Sequence, residues 1–396
     1  MPLTQIDTFL IRILHICAAM IVLLQVLGLD SAVSLLFSMT FVFVAALWIA
    51  AAVRKVTSLD ILILCVIVLA LLNVSLNTWI NNTAISFGYL RKFIIFSFTL
   101  LYFGAVHKLA IDNTTQKLLF GLNSGLTVFL IVQFFLNPTK VYIFNGLYTD
   151  YLTFGFTNPN LLAMFLLCIF YTELLQIFRP KKIPAKIFHL ALASVLFYFI
   201  IETGSRNCLL VAITAAAVLG VLFLRKKAFR IPLWLAVIIA VFPFLFAAAY
   251  LSIVDTPVFQ NLFSFLVSDG KGLDSRVTMW QTSFAQYWAS PLLSSYSQIV
   301  QNDTSLQMHN THIDILVSYG PMVLLLVCCV LYQLIHQSGR DKFGIAASVC
   351  FAFTVIMGMA EAAIFSGGLG IYLFAGVFLL LRRTAPADPS KIESEV

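Results

Sequence analysis

The stretch DILILCVIVLALLNVSLNTWI, residues 60–80, decides the fold class of this chain. Apart from Asp60 it carries no charged side chain. An α-helix of about 20 apolar residues crosses the roughly 30 Å hydrocarbon core of a bilayer. Lipid offers no hydrogen bonds to the backbone, so a span is either a helix or a strand of a closed barrel. The run is continuous and does not alternate, which excludes a barrel strand. Residues 60–80 are therefore predicted to form a transmembrane helix.

The rest of the chain is also strongly apolar and poor in charged residues. Its hydrophobic fraction is 61%, its charged fraction 10% and its mean hydropathy +0.98, whereas soluble domains carry about 25% charged residues. This composition excludes a soluble fold and predicts an all-α polytopic membrane protein. About twelve spans are predicted, at residues 9–29, 31–53, 60–80, 89–106, 118–136, 160–178, 187–203, 207–224, 232–252, 311–335, 343–365 and 368–381.

The distribution of basic residues predicts the orientation. With the N-terminus in the cytoplasm, 18 of the 24 Lys and Arg residues fall on cytoplasmic segments, as the positive-inside rule requires. Both termini are then cytoplasmic and the chain lies in the cytoplasmic (inner) membrane. The net charge of +7 needs no nucleic-acid partner. Six basic residues oppose the bias and are candidates for a local role: Arg91, Lys92, Lys140, Arg206, Lys271 and Arg276.

The predicted organisation is one transmembrane domain, residues 1–383, with a disordered cytoplasmic tail at 384–396. Two outer loops, 137–159 and 253–308, are longer than connectors need to be, and such loops are commonly functional. The second follows span 9 and contains Arg276–Trp288, an amphipathic stretch typical of a helix at the membrane interface. The seven cysteines lie mostly in apolar runs and indicate core residues, not disulfides.

Two outer arginines are candidate anion-binding residues. Arg206 follows Thr203-Gly204-Ser205 at the start of a span, where it would join the amide groups of a helix N-terminus. The alternative is an arginine that reaches to the membrane surface. Arg276 follows Asp274-Ser275, and it either binds phosphate or pairs with Asp274.

The segment His309-Asn310-Thr311-His312 is the third candidate. Histidines three residues apart share one helix face, so a metal pair is conceivable. A hydrogen-bonded structural histidine and a proton-transfer role are the alternatives. Arg91 and Lys92 either bind phosphates or anchor the interface, and Glu361 is an intramembrane acid with either a functional or a purely pairing role.

Several absent motifs narrow the chemistry. The sequence contains no DxD, which a metal-dependent sugar transferase would be expected to use for its cation. It also lacks GxxxxGK[ST], GxGxxG, GxSxG and HExxH. These absences argue against the common NTPases, dinucleotide-binding proteins, hydrolases and metalloproteases that carry those motifs.

Four patches resemble the bacterial O-antigen ligase and polymerase family, over about residues 158–331. They are Asn158-Pro159-Asn160, Arg206 with Leu210, Asp274-Ser275-Arg276 with Trp280, and His309-Asn310 followed after nine residues by Gly320. The last is the most specific, because it combines residue type, spacing and place in the membrane. Asn207, which follows Arg206, departs from the small residue common in that family.

The resemblance implies a GT-C-like fold and transfer of a glycan from a polyprenyl diphosphate carrier to a hydroxyl group, outside the cytoplasmic membrane. His309 would be the base, Arg206 and Arg276 would bind the diphosphate, and no metal or other cofactor is implied. Further candidates for substrate binding are Arg91, Lys92, Asn310, His312 and Glu361. The implied partners are the bilayer, the lipid-linked oligosaccharide, and chain-length regulator or flippase proteins.

Three activities remain open at this point. A polymerase, as in capsule or lipopolysaccharide biosynthesis, would move the growing chain to a lipid-linked repeat unit. A ligase would move it to a lipid A-core or another acceptor. A lipid-linked oligosaccharide flippase would perform no chemistry, but a transporter should gather its polar groups near the bilayer midplane, whereas here they gather at the predicted outer face.

Overall fold

The fold is described from a computed structural model. The structure describes residues 4–80, 82, 85–140, 142–144, 147–179, 182–225, 231–254, 256–257, 274–289, 308–337, 341–366 and 370–383. The predicted tail at 384–396, and most of the predicted loop at 253–308, lie outside these ranges.

Nine long apolar helices dominate the described part of the chain, and each is long enough to cross a membrane. They are α1 (Gln5–Val26), α2 (Asp30–Arg54), α3 (Ser58–Ile80), α4 (Phe87–Val106), α5 (Asn113–Leu136), α6 (Pro159–Ile177), α7 (Ile183–Glu202), α8 (Arg206–Leu224) and α9 (Leu233–Ile253). Each coincides with one of the first nine predicted spans. The chain is thus a polytopic helical membrane protein, and the total of twelve spans stays a prediction.

The outer surface of the bundle is apolar. Along α2, Leu35, Val42 and Ile49 recur every seven residues, lie on one face and are more than half exposed. The opposite face buries Val44 and Leu47 completely. An exposed apolar stripe is expected where lipid is the solvent, because burial against lipid replaces burial against protein.

Shorter helices complete the described part. They are α10 (Asp274–Ala289), α11 (Thr311–Tyr319), α12 (Pro321–His336), α13 (Lys342–Met357), α14 (Ala363–Ser366) and α15 (Ile371–Leu381). All residues of α15 are buried. An 11-residue helix is only roughly 16 Å long, so α15 by itself is shorter than the hydrocarbon core, and it packs inside the bundle.

Two predicted spans are broken. The span predicted at 311–335 is α11 followed by α12, because Gly320 has φ +86° and Pro321 has no amide hydrogen. Carbonyl groups at the break are satisfied from outside the helix: Tyr89 Oη donates to Ser318 O at 2.7 Å and Asn73 Nδ2 to Tyr319 O at 2.5 Å. The span predicted at 343–365 is α13 and α14, separated by residues 358–362.

The predicted loop 137–159 is ordered over most of its length. It contains a short antiparallel hairpin of β1 (Tyr142–Phe144) and β2 (Leu147–Thr149), a small addition to the predicted all-α fold. After the hairpin, Leu152 N donates to Glu202 O at 2.9 Å, and Gln25 Nε2 donates to Gly155 O at 3.3 Å. These contacts define the upper end of the bundle, at which α1 and α7 end and α8 begins.

Ion pairs stabilise the opposite, lower end of the bundle. Lys108 Nζ lies 2.8 Å from Asp60 and Arg12 lies 3.5 Å from Asp112, and Arg54 pairs with Asp7. Lys342 Nζ donates to the carbonyl groups that end α8. Basic side chains near helix C-termini complement the partial negative charge there. All seven cysteines lie within the described ranges as free thiols.

Candidate functional site

Two non-helical turns meet at the upper end of the bundle. The first precedes α11 and carries His309, and the second follows α13 and carries Glu361. Thr311 N donates to Gly358 O at 2.8 Å, and Thr311 Oγ1 donates to Glu361 O at 3.1 Å. The turns thus satisfy each other's backbone groups, which must be paired when they are buried.

Backbone geometry shows how tightly the turns fit. A Cβ atom on Gly358 would lie 2.5 Å from Thr311 Oγ1, so only glycine allows this approach. His309 has φ +46°, a left-handed conformation that is uncommon outside glycine. Strained backbone of this kind clusters at functional sites. The side chain of His309 is 26% exposed and therefore reachable from outside.

The buried carboxylate of Glu361 joins two of the predicted site residues. Its Oε2 lies 3.1 Å from Nδ1 of His309, and its Oε1 accepts a hydrogen bond from Nη2 of Arg276 at 2.9 Å. The Glu361 side chain is 4% exposed. A carboxylate this deep needs charged or hydrogen-bonding partners, and it has one at each oxygen.

The contact with Glu361 also bears on which nitrogen of His309 faces outward. A carboxylate that is ionised only accepts hydrogen bonds, so we assign the proton of a neutral His309 ring to Nδ1. Nε2 then holds a lone pair. A histidine oriented in this way by a carboxylate can take a proton from a hydroxyl group.

Helix α10 carries Arg276 to this place. The helix includes the stretch Arg276–Trp288 that was predicted to be amphipathic, and Trp280 on it is fully buried. Trp280 Nε1 donates to Met308 O at 2.7 Å, one residue before His309. The Trp280 anchor therefore places Arg276 and His309 together. The alternative pair with Asp274 involves a side chain outside the described residues.

Arg206 is the first residue of α8 and is exposed. The next residue, Asn207, donates from Nδ2 to Met357 O at 3.0 Å, which ties the start of α8 to the turn that holds Glu361. Ser205 at the N-cap makes no capping hydrogen bond through its side chain. The amide groups at the N-terminus of a helix favour anions.

Asn310 and His312 hold the turn from behind. Asn310 Nδ2 donates to Pro243 O at 2.7 Å and Met359 O at 2.8 Å, and its Oδ1 caps α11. His312 is fully buried, with Nε2 2.8 Å from Ala240 O. Pro243 lies inside α9, and the carbonyl groups that face these two side chains, Ala240 O and Pro243 O, lie within one turn of each other. The sequence reading of Asn310 and His312 as substrate-binding residues stays a prediction.

Lys92 and Arg91 lie away from the His309 turn. Lys92 Nζ donates to Asp314 Oδ1 at 2.6 Å and to Ser318 Oγ at 2.9 Å, so it links α4 to α11. Arg91 is exposed at the first turns of α4. Their predicted contact with phosphate stays a prediction. Among the described residues, no group of three or more His, Cys, Asp or Glu side chains could hold a metal ion.

Some supporting residues were not predicted. Thr311 was part of the candidate segment His309–His312 but was given no role of its own. Gly358 and Pro243 fell inside predicted apolar spans, although a glycine or proline inside such a run signals a break. The described site combines a histidine on a buried carboxylate, an arginine on the same carboxylate, and a second arginine at the start of α8. This arrangement can accept a proton and bind an anion. No protein-family model matches the chain, and no curated protein is significantly similar to it in sequence.

Proposed function

We propose that the chain is a polysaccharide polymerase of the O-antigen and capsule type. It would transfer the growing glycan from a polyprenyl diphosphate carrier to a hydroxyl group of a lipid-linked repeat unit. The observation that carries the proposal is the Glu361 carboxylate shared by His309 and Arg276 at 3.1 and 2.9 Å. The resemblance of the sequence patches to O-antigen polymerases supplies the reaction class.

The reaction is a substitution at the anomeric carbon. The acceptor oxygen forms a bond to C1 of the donor sugar, and the bond from C1 to the phosphate oxygen breaks. Its electron pair leaves with the polyprenyl diphosphate, and the hydroxyl proton passes to His309 Nε2. Glu361, hydrogen-bonded to Nδ1, stabilises the imidazolium that forms.

Arg206 and Arg276 would stabilise the diphosphate as negative charge develops on it. A guanidinium group offers five N–H donors in a fixed fork. The contact to Glu361 uses Nη2 of Arg276, so donors remain for phosphate. Two arginines and the α8 amides would supply fixed positive charge without a divalent cation.

The reaction is placed on the outer side of the cytoplasmic membrane. The reason is the Lys/Arg distribution, which puts Arg206, Arg276 and His309 on the side poor in basic residues. The ordered residues of loop 137–159 meet the start of α8 at that same end of the bundle.

A purified protein incubated with the lipid-linked repeat unit and EDTA tests the proposal, with a glycan ladder on a gel as the readout. We expect a ladder from the wild type, none from His309→Ala, and a strong loss from Arg276→Lys or Arg206→Lys. His336→Ala and Arg12→Lys are matched controls at the lower end, where His336 stacks on Tyr332.

The outcomes separate the three activities. A product that appears only after a second, carrier-free acceptor is added would favour the ligase. Wild-type protein that forms no product under either condition, but moves the lipid across a vesicle membrane, would overturn the polymerase in favour of the flippase.

A further inference from the structure

A polar and aromatic patch lies beside the start of α8 and is not used in the transfer step. Lys140 and Tyr151 flank the β1–β2 hairpin, and Glu202 is the last residue of α7. The hydrogen bond from Leu152 N to Glu202 O holds these segments together. All three side chains therefore surround the turn that leads into Arg206.

The ring of Tyr151 packs closely against Gly204. A Cβ atom on Gly204 would lie 2.4 to 2.8 Å from three carbon atoms of that ring, and Gly204 has φ +68°. Both facts require glycine at this position. Tyr151 itself is only half-buried, so the aromatic side chain is held rigidly at a reachable surface.

The charged members of the patch are paired and accessible. Lys140 Nζ donates to Glu202 Oε2 at 3.0 Å, with side chains 39% and 24% exposed. The hydrogen bond to Glu202 raises the pKa of Lys140, so the ammonium group stays charged. An exposed ion pair adds little stability. Contact with a ligand is therefore another role that these two side chains can have.

We propose that Tyr151, Glu202 and Lys140 form a binding subsite for a pyranose ring of the donor glycan. An aromatic ring offers an apolar face to the C–H groups of a sugar. A carboxylate accepts hydrogen bonds from sugar hydroxyl groups and an ammonium group donates to them. An aromatic surface with a few convergent polar groups is the usual composition of a small-molecule site.

The position of the patch identifies which substrate would reach it. Gly204 is two residues before Arg206, so the two Cα atoms are at most roughly 7 Å apart. A diphosphate on Arg206 and the α8 amides would place its attached sugars next to the Tyr151 ring. The subsite thus rests on the proposed function and assigns part of its donor recognition to loop 137–159.

Saturation-transfer NMR on the full-length protein in detergent tests the subsite without catalysis. The probes are glucose, galactose, mannose and N-acetylglucosamine, each free of lipid and phosphate. We expect at least one of them to receive saturation from wild type and from Tyr151→Phe. Tyr151→Leu keeps an apolar contact with Gly204 but lacks the ring, and should weaken binding by about 10-fold. Glu202→Gln and Lys140→Met should each weaken it too.

Phe135→Ala, which removes an aromatic ring that is 79% exposed on α5, is the matched control. No signal from any probe with wild type, or signals equal in wild type and Tyr151→Leu, would overturn the subsite even if the protein polymerises. Conversely, if sugar binding depends on Tyr151 but the protein forms no glycan ladder, the proposed subsite stands and the proposed polymerase activity is overturned.

Discussion

Nδ1 of His309 and Oε2 of Glu361 lie 3.1 Å apart, within a site that holds the carboxylate almost fully buried. The pair directs the ring so that Nε2 faces away from the carboxylate. A histidine in water favours no such fixed arrangement. In the proposed mechanism, this contact would give His309 one defined reactive nitrogen, and the first prediction follows from it.

Replacement of Glu361 by Gln should lower kcat for glycan transfer by about 10²–10⁴-fold, the range seen when the orienting carboxylate of a catalytic triad is lost. The amide keeps the size of the side chain but lacks the charge that stabilises the imidazolium. ¹⁵N NMR of histidine-labelled protein, with His309→Ala for assignment, should show a proton on Nδ1 in the wild type and a mixture in Glu361→Gln. An unchanged kcat and an unchanged spectrum would contradict the role of Glu361.

Trp280→Phe should raise KM for the lipid-linked donor and leave kcat nearly unchanged. The substitution removes one hydrogen bond, from Nε1 to Met308 O, whose net value is about 1 kcal/mol. Because that bond anchors α10, Arg276 would be held less firmly for the diphosphate. Steady-state kinetics measures both constants. A kcat effect as large as that of His309→Ala would mean that Trp280 supports the base instead.

Gly358→Ala should destabilise the protein by about 1–3 kcal/mol, the usual cost of overpacking, and should disturb the His309 turn. The added Cβ would lie 2.5 Å from Thr311 Oγ1. The apparent melting temperature in detergent and the transfer activity check this result. Gly121→Ala and Gly220→Ala are suitable controls, because a Cβ at either position meets nothing within 4 Å. Equal melting temperatures for all three variants would be evidence against the tight contact.

Glu173 forms a second buried polar cluster, which concerns stability. It accepts from Ser124 Oγ and contacts His189 Nδ1, each at 2.7 Å. Removing one partner of a buried pair costs about 3–5 kcal/mol, so His189→Leu and Glu173→Leu should each lower the melting temperature strongly. The melting temperature of the double variant should be well above the value expected from adding the two losses, since the double variant leaves no unpaired charge. Strict additivity in this double-mutant cycle would show that the two side chains do not interact.

Much of the fold follows from local sequence. A run of about 20 apolar residues in lipid has to be a helix, and α1 to α9 appear where such runs occur. The break at Gly320-Pro321 has a local signal as well, although the apolar residues on both sides predicted one continuous span. The break at Gly358 has only the glycine itself as a local signal, and the partner of its carbonyl group, the amide of Thr311, is distant in sequence.

The candidate site could be predicted as a set of residues but not as an arrangement. Charge bias singled out Arg206 and Arg276, and His309 stood out by its place at the end of a long loop. The partner of Arg276 was open between Asp274 and a phosphate, and the structure gives it Glu361. Lys92 was expected to face a phosphate or the membrane surface, and it holds Asp314. Such pairings depend on which helices pack together, and residue spacing alone does not contain that information.

The contact between the turn at His309 and the turn at Glu361 also sets an order of events during biosynthesis. Arg206, Arg276 and His309 are all synthesised before Glu361, and Thr311 N has no acceptor until Gly358 arrives. A nascent chain inserted only as far as α12 therefore holds a histidine without its carboxylate. In the proposed mechanism, His309 would gain its carboxylate only when the turn after α13 has been inserted, and we expect partly inserted chains not to consume the proposed lipid-linked substrate.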